Sequence, residues 1–275
     1  MSTFQKNIST ESSTLLTYLA KNKKRCFEIF DAKKALPESS ENTLIKLLSD
    51  MVARGLLMRI KKGVYCVIPY EEDPEHYMPE WHILPEYLIS GGEYYIGYYS
   101  AMEIHNLITQ PSLKEQVVVS KQMKPSIQKV KNITFQFIYH NETHFFGYKK
   151  KWINSYDKVW CSDLEKTLID CLYKPNYAGG IVEVARGLYK AKDDISFDKL
   201  LEYVLTFDTQ VVIKRLGFLL ELLEIENDII PKLQEHKTTS YAVLDTELPK
   251  TGKMHSRWSI RQNLDTETIK SALYT

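Results

Sequence analysis

The residues of this chain whose types and spacing could do chemistry fall into four groups. Asp163, Glu165 and Lys166 bring two carboxylates and an amine close together, the ingredients of a metal-dependent nuclease. The spacing is wrong for that, since a nuclease motif wants its lysine two residues after its acid and on a strand. Here Ser162-Asp163-Leu164-Glu165 reads instead as a helix start, with Ser162 capping and Glu165 reaching back. His140 and His144 are four apart, but at a strand end and not on the helix face that would aim both at one metal. Gly179-Gly180 could open a phosphate-binding helix N-terminus, and reads more simply as a turn. No GxxxxGK[ST] or GxGxxG occurs, so no nucleotide site is indicated. The expectation is no catalytic residue, no metal site and no cofactor, and hence no enzyme. The fourth group is different in kind. Ser39, Ser40, Asn42 and Thr43 are short polar side chains suited to base edges, and Lys46, Arg59, Lys61 and Lys62 are cations suited to phosphates.

The elements that must position this fourth group are legible. Leu44, Leu47, Leu48, Met51, Val52 and Leu56 recur at the spacing of one buried helical face, with Ser40, Thr43 and Lys46 opposite. Ser39 or Ser40 can cap that helix, and Gly55 sits where a helix ends on glycine. Leu56–Ile60 and Val64–Ile68 then alternate around Lys61-Lys62-Gly63, predicting two strands and a basic turn. Upstream, Ser12–Lys21 predicts a first helix. Cys26–Phe30 predicts a short strand, leading into a second helix that stops before Pro37. Helix, turn, helix and hairpin in this order predict a winged helix-turn-helix, whose second helix enters the major groove while the wing touches phosphate. The basic run from Lys21 to Arg25 reads as an exposed loop, with phosphate contact as its functional alternative.

Charge is divided unevenly. Residues 1–70 carry twelve Lys/Arg against six Asp/Glu, a formal +6; the remainder carries 24 against 29, a formal −5. A basic head on a slightly acidic body suits DNA binding by the head alone. Tyr70-Glu71-Glu72-Asp73-Pro74 reads as a linker, placing a head at 1–70 and a second domain at 75–275. The fold class is therefore α+β, an N-terminal winged helix-turn-helix followed by a larger mixed α/β domain. In the second domain, Trp81–Leu88 predicts an opening helix, Gln116–Ser120 and Ile133–Tyr139 predict strands, and 145–160 predicts more. Helices are expected from Ser162 and at about 179–190, 196–206, 208–224 and 227–236. Strands follow at Tyr241–Leu244 and Arg257–Ile260, then a short terminal helix. Tyr98 and Tyr99 read as core, with base stacking as the alternative. Residues 1–9 are polar and expected to fray. The four cysteines form no CxxC and read as reduced, buried thiols. No apolar run is long enough for a span and no leader is visible, so the expectation is a cytoplasmic protein without a membrane partner.

Several ordered motifs carry a family resemblance over about residues 10–260. The wing ends in Lys62-Gly63-Val64-Tyr65. Tyr99-Ser100-Ala101-Met102-Glu103-Ile104-His105-Asn106-Leu107 leads into Thr109-Gln110. Asp163-Leu164-Glu165-Lys166-Thr167-Leu168-Ile169-Asp170 is followed by Tyr177-Ala178-Gly179-Gly180. In these the chain resembles the AbiEi-type antitoxins of type IV toxin–antitoxin systems, which act in abortive infection against phage. Asn106 stands where that family has glycine, so a left-handed asparagine or a slightly different helix end is expected there. The resemblance implies a head that binds inverted repeats in double-stranded promoter DNA and represses its own operon. It also implies a C-terminal domain that counters a co-encoded nucleotidyltransferase-like toxin. A ligand-responsive winged-helix regulator with no toxin partner is the alternative.

Overall fold

The computed structural model describes residues 6–108 and 110–274. Thr109, one half of the Thr109-Gln110 pair, and residues 1–5 of the expected frayed terminus lie outside the described residues. The described part of that terminus is held: Lys6 Nζ donates to the carbonyls of Pro69, Tyr70 and Glu72 at 3.1, 2.6 and 2.8 Å. The chain is mixed α and β and divides into two compact units, one ending at Leu88 and the other beginning at Ile89.

The first unit contains α1 (Thr10–Lys21), β1 (Cys26–Glu28), α2 (Ile29–Ala35), α3 (Glu41–Ala53), β2 (Leu57–Lys61), β3 (Val64–Val67), a 3-10 turn (Trp81–Ile83) and α4 (Pro85–Leu88). Its strands form an antiparallel sheet in the order β1-β3-β2. Leu44, Leu48 and Met51 bury one face of α3 with Leu15, Leu19, Phe27 and Tyr65. Ser40 caps α3, its hydroxyl accepting from Thr43 N. The helix ends in a Schellman arrangement, with Gly55 at φ 72, Leu56 N donating to Met51 O and Gly55 N to Val52 O. Two expectations are corrected. The compact unit does not end at residue 70: the acidic stretch is tied back by Lys6, and Tyr87 Oη donates to Cys26 O at 2.9 Å. Residues Trp81–Leu88 therefore close the first unit and do not open the second. Cys26 and Cys66 are also not free thiols. They oppose each other in the β1–β3 ladder, Cα to Cα 4.0 Å, and are joined as a disulfide. Cys161 and Cys171 are buried and free.

The second unit is built on a six-stranded mixed sheet. Its strands are β4 (Tyr94–Ile96), β5 (Lys114–Val119), β6 (Ile127–Val130), β7 (Ile133–Tyr139), β8 (Tyr148–Trp152) and β9 (Lys158–Ser162), in the order β6-β7-β5-β4-β9-β8. β5 pairs with β7, and β4 with β9, in parallel; the other neighbours are antiparallel. The helices are α5 (Tyr98–Ile104), α6 (Leu164–Tyr173), α7 (Ile181–Lys190), α8 (Phe197–Phe207), α9 (Gln210–Leu222), α10 (Ile229–His236) and α11 (Thr266–Ser271). α6 is the hub: residues Glu165 to Leu172 are all buried, and α5, α7, α8 and α9 all pack on it. A small sheet, β10 (Ala242–Val243), β11 (Lys253–His255) and β12 (Ile260–Gln262), packs on α9 through Trp258. The strand expected at Arg257–Ile260 thus lies slightly later and has a partner, β11, that the pattern did not show. Asn106 has φ 59, the left-handed conformation expected there. The cap of α6 moves by one residue: Ser162 still pairs with Tyr148 in the sheet, and Asp163 accepts from Lys166 N at 3.0 Å. Among the described residues no helix is long and apolar enough to cross a membrane.

Candidate nucleic-acid interface

The exposed edge of α3 begins at its cap. Ser40 and Thr43 are hydrogen-bonded to each other, Oγ to Oγ1 at 2.8 Å, so part of their polar capacity is spent inside the helix start. Ser39 is half-buried, and its carbonyl accepts from Lys33 Nζ at 2.8 Å, fixing the α2–α3 turn. Asn42 and, one turn on, Lys46 are exposed. Between α3 and the β2–β3 hairpin runs a groove of about 440 Å³, lined on the helix by Glu41, Ile45, Ser49 and Val52 and on the hairpin by Arg59, Lys62 and Gly63. The structure thus brings Asn42, Lys46, Arg59 and Lys62 to the surface of one helix–hairpin element. Lys61 is placed differently: it is half-buried and its Nζ donates to Leu88 O at 3.3 Å. A bulge between Arg59 and Lys61 shifts the register there, which strict alternation does not foresee. Residue type alone does not single out Ile45. It is 45% exposed on α3, and an apolar side chain at this position suits a thymine methyl. Its signal was its place outside the buried spacing of Leu44, Leu48 and Met51. Within the basic run, Lys24 is paired with Asp31 at 2.5 Å, while Lys21 and Lys23 are exposed.

The residues that suggested other chemistry are occupied. Asp163 accepts from Tyr203 Oη at 3.0 Å and from Lys199 Nζ at 2.9 Å, besides capping α6. Glu165 accepts from Ser196 N at 3.0 Å and from Lys199 at 2.8 Å. Lys166 is fully buried, bonded to Asp170 and to Tyr95 Oη, and ringed by Tyr95, Phe146 and Phe207 at 5.1–5.2 Å. Tyr95 Oη in turn donates to Asp170 at 3.0 Å. Burial pushes the Lys166 ammonium down and the Asp170 carboxyl up, each partner opposing the other's shift. The rings of His140 and His144 lie edge to face, 6.0 Å apart, but their nitrogens are engaged elsewhere. His140 Nε2 is hydrogen-bonded to Tyr98 Oη at 2.8 Å, while His144 Nε2 pairs with Thr209 Oγ1 at 3.3 Å and its ring stacks on Phe207 with ring centres 3.8 Å apart. Among the described residues no group of three or more His, Cys, Asp or Glu could hold a metal. At Gly179-Gly180, the first N–H of α7, from Ile181, is taken by Asp245 at 3.1 Å. Tyr98 is buried, and Tyr99 Oη donates to Gln110 O at 2.8 Å.

His140 gives the second unit a pH dependence. Burial, with Lys166 nearby, holds it down at about 2 against the ordinary 6.5. The folded form stays neutral while the unfolded chain takes up a proton below about pH 6.5. The stability tied to neutral His140 is thus whole above that pH and is lost as pH falls toward 2, at about 1.4 kcal/mol per unit. In urea titrations the loss of stability between about pH 6.5 and 5 shrinks by about 2 kcal/mol in His140→Gln. An unchanged loss would mean that His140 is not held neutral.

In fold, the chain is similar to a solved protein. Over 99% of this chain and 97% of the other, it superposes on the crystal structure of the RV2827C protein from Mycobacterium tuberculosis with a TM-score of 0.71. Sequence identity is 12%, so the likeness is one of fold alone. No family model matches the chain, and no curated protein matches it.

Proposed function

We propose that the chain is a DNA-binding antitoxin-repressor of the AbiEi type. In this reading the first unit is a winged helix-turn-helix that binds inverted repeats in its own promoter. The second counters a nucleotidyltransferase-like toxin encoded beside it. The chain works in the cytoplasm and catalyses no reaction. The observation that carries the reading is the groove that Ile45 of α3 lines with Arg59 and Lys62 of the hairpin, with Asn42 and Lys46 exposed on the same helix. Asn42 can pair with an adenine edge, Ile45 meets thymine methyls, and the three cations supply salt-sensitive affinity. Ser39, Ser40 and Thr43 shape the helix start, and Lys61 secures the hairpin to α4. Glu41, in the same groove, is repelled by phosphate and keeps the backbone of DNA toward the hairpin side.

The test is a promoter fragment carrying the inverted repeats, titrated at several salt concentrations. Asn42→Ala weakens binding by about 1–3 kcal/mol and relaxes sequence preference. Arg59→Ala and Lys62→Ala weaken all DNA alike and each reduce the salt slope by about 1. Unchanged affinity and slope in all three would remove this surface from the interface. For the second role, co-expression of the neighbouring reading frame must be toxic, and this chain must relieve the toxicity. A ligand-responsive regulator is the second reading. The observation on its side is an open pocket of about 520 Å³ in the second unit, lined by Tyr189, Leu223, Ile225 and Leu273 and by the charged Lys192, Glu224, Glu267 and Lys270. A non-toxic neighbour and operator affinity that responds to a small molecule would turn the balance to it.

A further inference from the structure

We propose that the β8–β9 hairpin of the second unit is a stacking platform for single-stranded nucleic acid. β8 is an edge strand of the six-stranded sheet, paired on one side only, with β9. Its register places Lys150 opposite Trp160 and Trp152 opposite Lys158. Opposed residues of an antiparallel pair share a face, and so do alternate residues along one strand. Tyr148, Lys150, Trp152, Lys158 and Trp160 therefore form one ladder of rings and ammonium groups.

The ladder is anchored at its inner end and open at its outer end. The Tyr148 ring stacks on buried Tyr95 at 5.2 Å, and Trp160 meets Tyr148 edge-on at 5.8 Å. Beyond that, Trp160 is 38% and Trp152 57% exposed, and Tyr156 at the hairpin tip is 79% exposed. The tip is ordered, because Asn154 Oδ1 accepts from both Tyr156 N and Asp157 N at 2.8 Å. Lys150 lies over the Trp160 ring at 5.3 Å and Lys158 over the Trp152 ring at 4.3 Å.

Edge protection explains only half of this. Lysines on an edge strand are a common guard against pairing with another chain. Exposed tryptophans serve no such purpose and lower solubility. Exposed rings that each carry an ammonium group over one face match a ligand that has flat apolar faces and negative charges in alternation. Single-stranded nucleic acid has that chemistry, since its unstacked bases lie on aromatic rings while its phosphates take the ammonium groups. Duplex bases are already stacked on one another and cannot reach the rings. The charge agrees: Lys150 and Lys158 lie on the ladder face and Lys149 and Lys151 on the other face of the hairpin, against Asp157 alone, in a chain that is net acidic beyond residue 70. This surface shares no residue with the duplex-DNA surface proposed above, and its test is independent of that reading.

The test uses the full chain with fluorescein-labelled oligouridylate and oligothymidylate of about 12 nucleotides, in anisotropy titrations at low salt. Both probes bind, and Trp152→Ala and Trp160→Ala each weaken the tighter one by about five-fold or more. Trp152→Phe and Trp160→Phe keep a ring and retain most of the affinity, which separates stacking from misfolding. The tighter of the two probes assigns the ligand to RNA or to DNA. Alanine variants that bind as the parent does would overturn the proposal. So would polyglutamate displacing the probes as well as unlabelled oligonucleotide, because the patch would then recognise only negative charge.

Discussion

Lys166→Met lowers the unfolding free energy of the second unit by about 3–5 kcal/mol, measured by urea denaturation at neutral pH. The ammonium sits with no solvent access between Asp170, Tyr95 Oη and three aromatic rings. Methionine fills most of the same volume, so little of the loss comes from a cavity. The cost arises because Asp170, itself fully buried, is left with the Tyr95 hydroxyl as its remaining donor at hydrogen-bonding distance, His140 Nδ1 lying 3.9 Å away. The companion variant decides the cause. Replacing both partners, as Lys166→Met with Asp170→Leu, removes the stranded charge and recovers much of the loss, since a buried pair exchanged for apolar groups is often neutral. A single variant as stable as the parent would show that the pair is not buried as described. Because the chain has two compact units, the denaturation must be followed by a probe of the second unit.

Trp258→Ala is the second large effect, a loss of about 3–5 kcal/mol in the same measurement. The indole is fully buried, and its Nε1 donates to Glu221 on α9 at 2.7 Å. Its ring lies so close to Gly217 that a Cβ at 217 would overlap it. Glycine in the middle of a thirteen-residue helix costs stability by itself, and here it makes the room that lets α9 and the small β10–β12 sheet meet. Alanine at 258 empties that contact, removes the indole's hydrogen bond to Glu221 and leaves the small sheet without its anchor. Loss of less than about 1 kcal/mol would mean that the last strands are held by other contacts.

How much of this was legible in the sequence depends on distance along the chain. The α3–hairpin element is written in neighbours: Leu44, Leu48 and Met51 at helical spacing, Ser40 at one end and Gly55 at the other. The buried cluster of the second unit is not, because Tyr95 reaches Asp170 across 75 residues and Tyr98 reaches His140 across 42. The Cys26–Cys66 bond spans 40 residues and follows from the β1–β3 register, which no local spacing encodes. The acidic stretch at 70–74 has the composition of a linker, yet its carbonyls are bound by Lys6 from the far end of the unit. Ser162 and Asp163 can both cap a helix; pairing in the sheet took the first and left the second. The aromatic content of 145–160 indicated strands, but which rings face water depends on β8 being at the sheet edge.

The carbonyl of Gly63, at the tip of the β2–β3 hairpin, accepts from Ile29 N at 3.0 Å, the first residue of α2. Opening the hairpin would therefore leave the first N–H of α2 without its acceptor. For the proposed promoter ligand this has a kinetic meaning. If the chain binds that ligand, the hairpin does not have to be found and ordered after first contact, so little entropy is lost in shaping the protein. Association is then set by the encounter itself and slows as salt screens the approach, while differences between one operator and another fall on the lifetime of the complex.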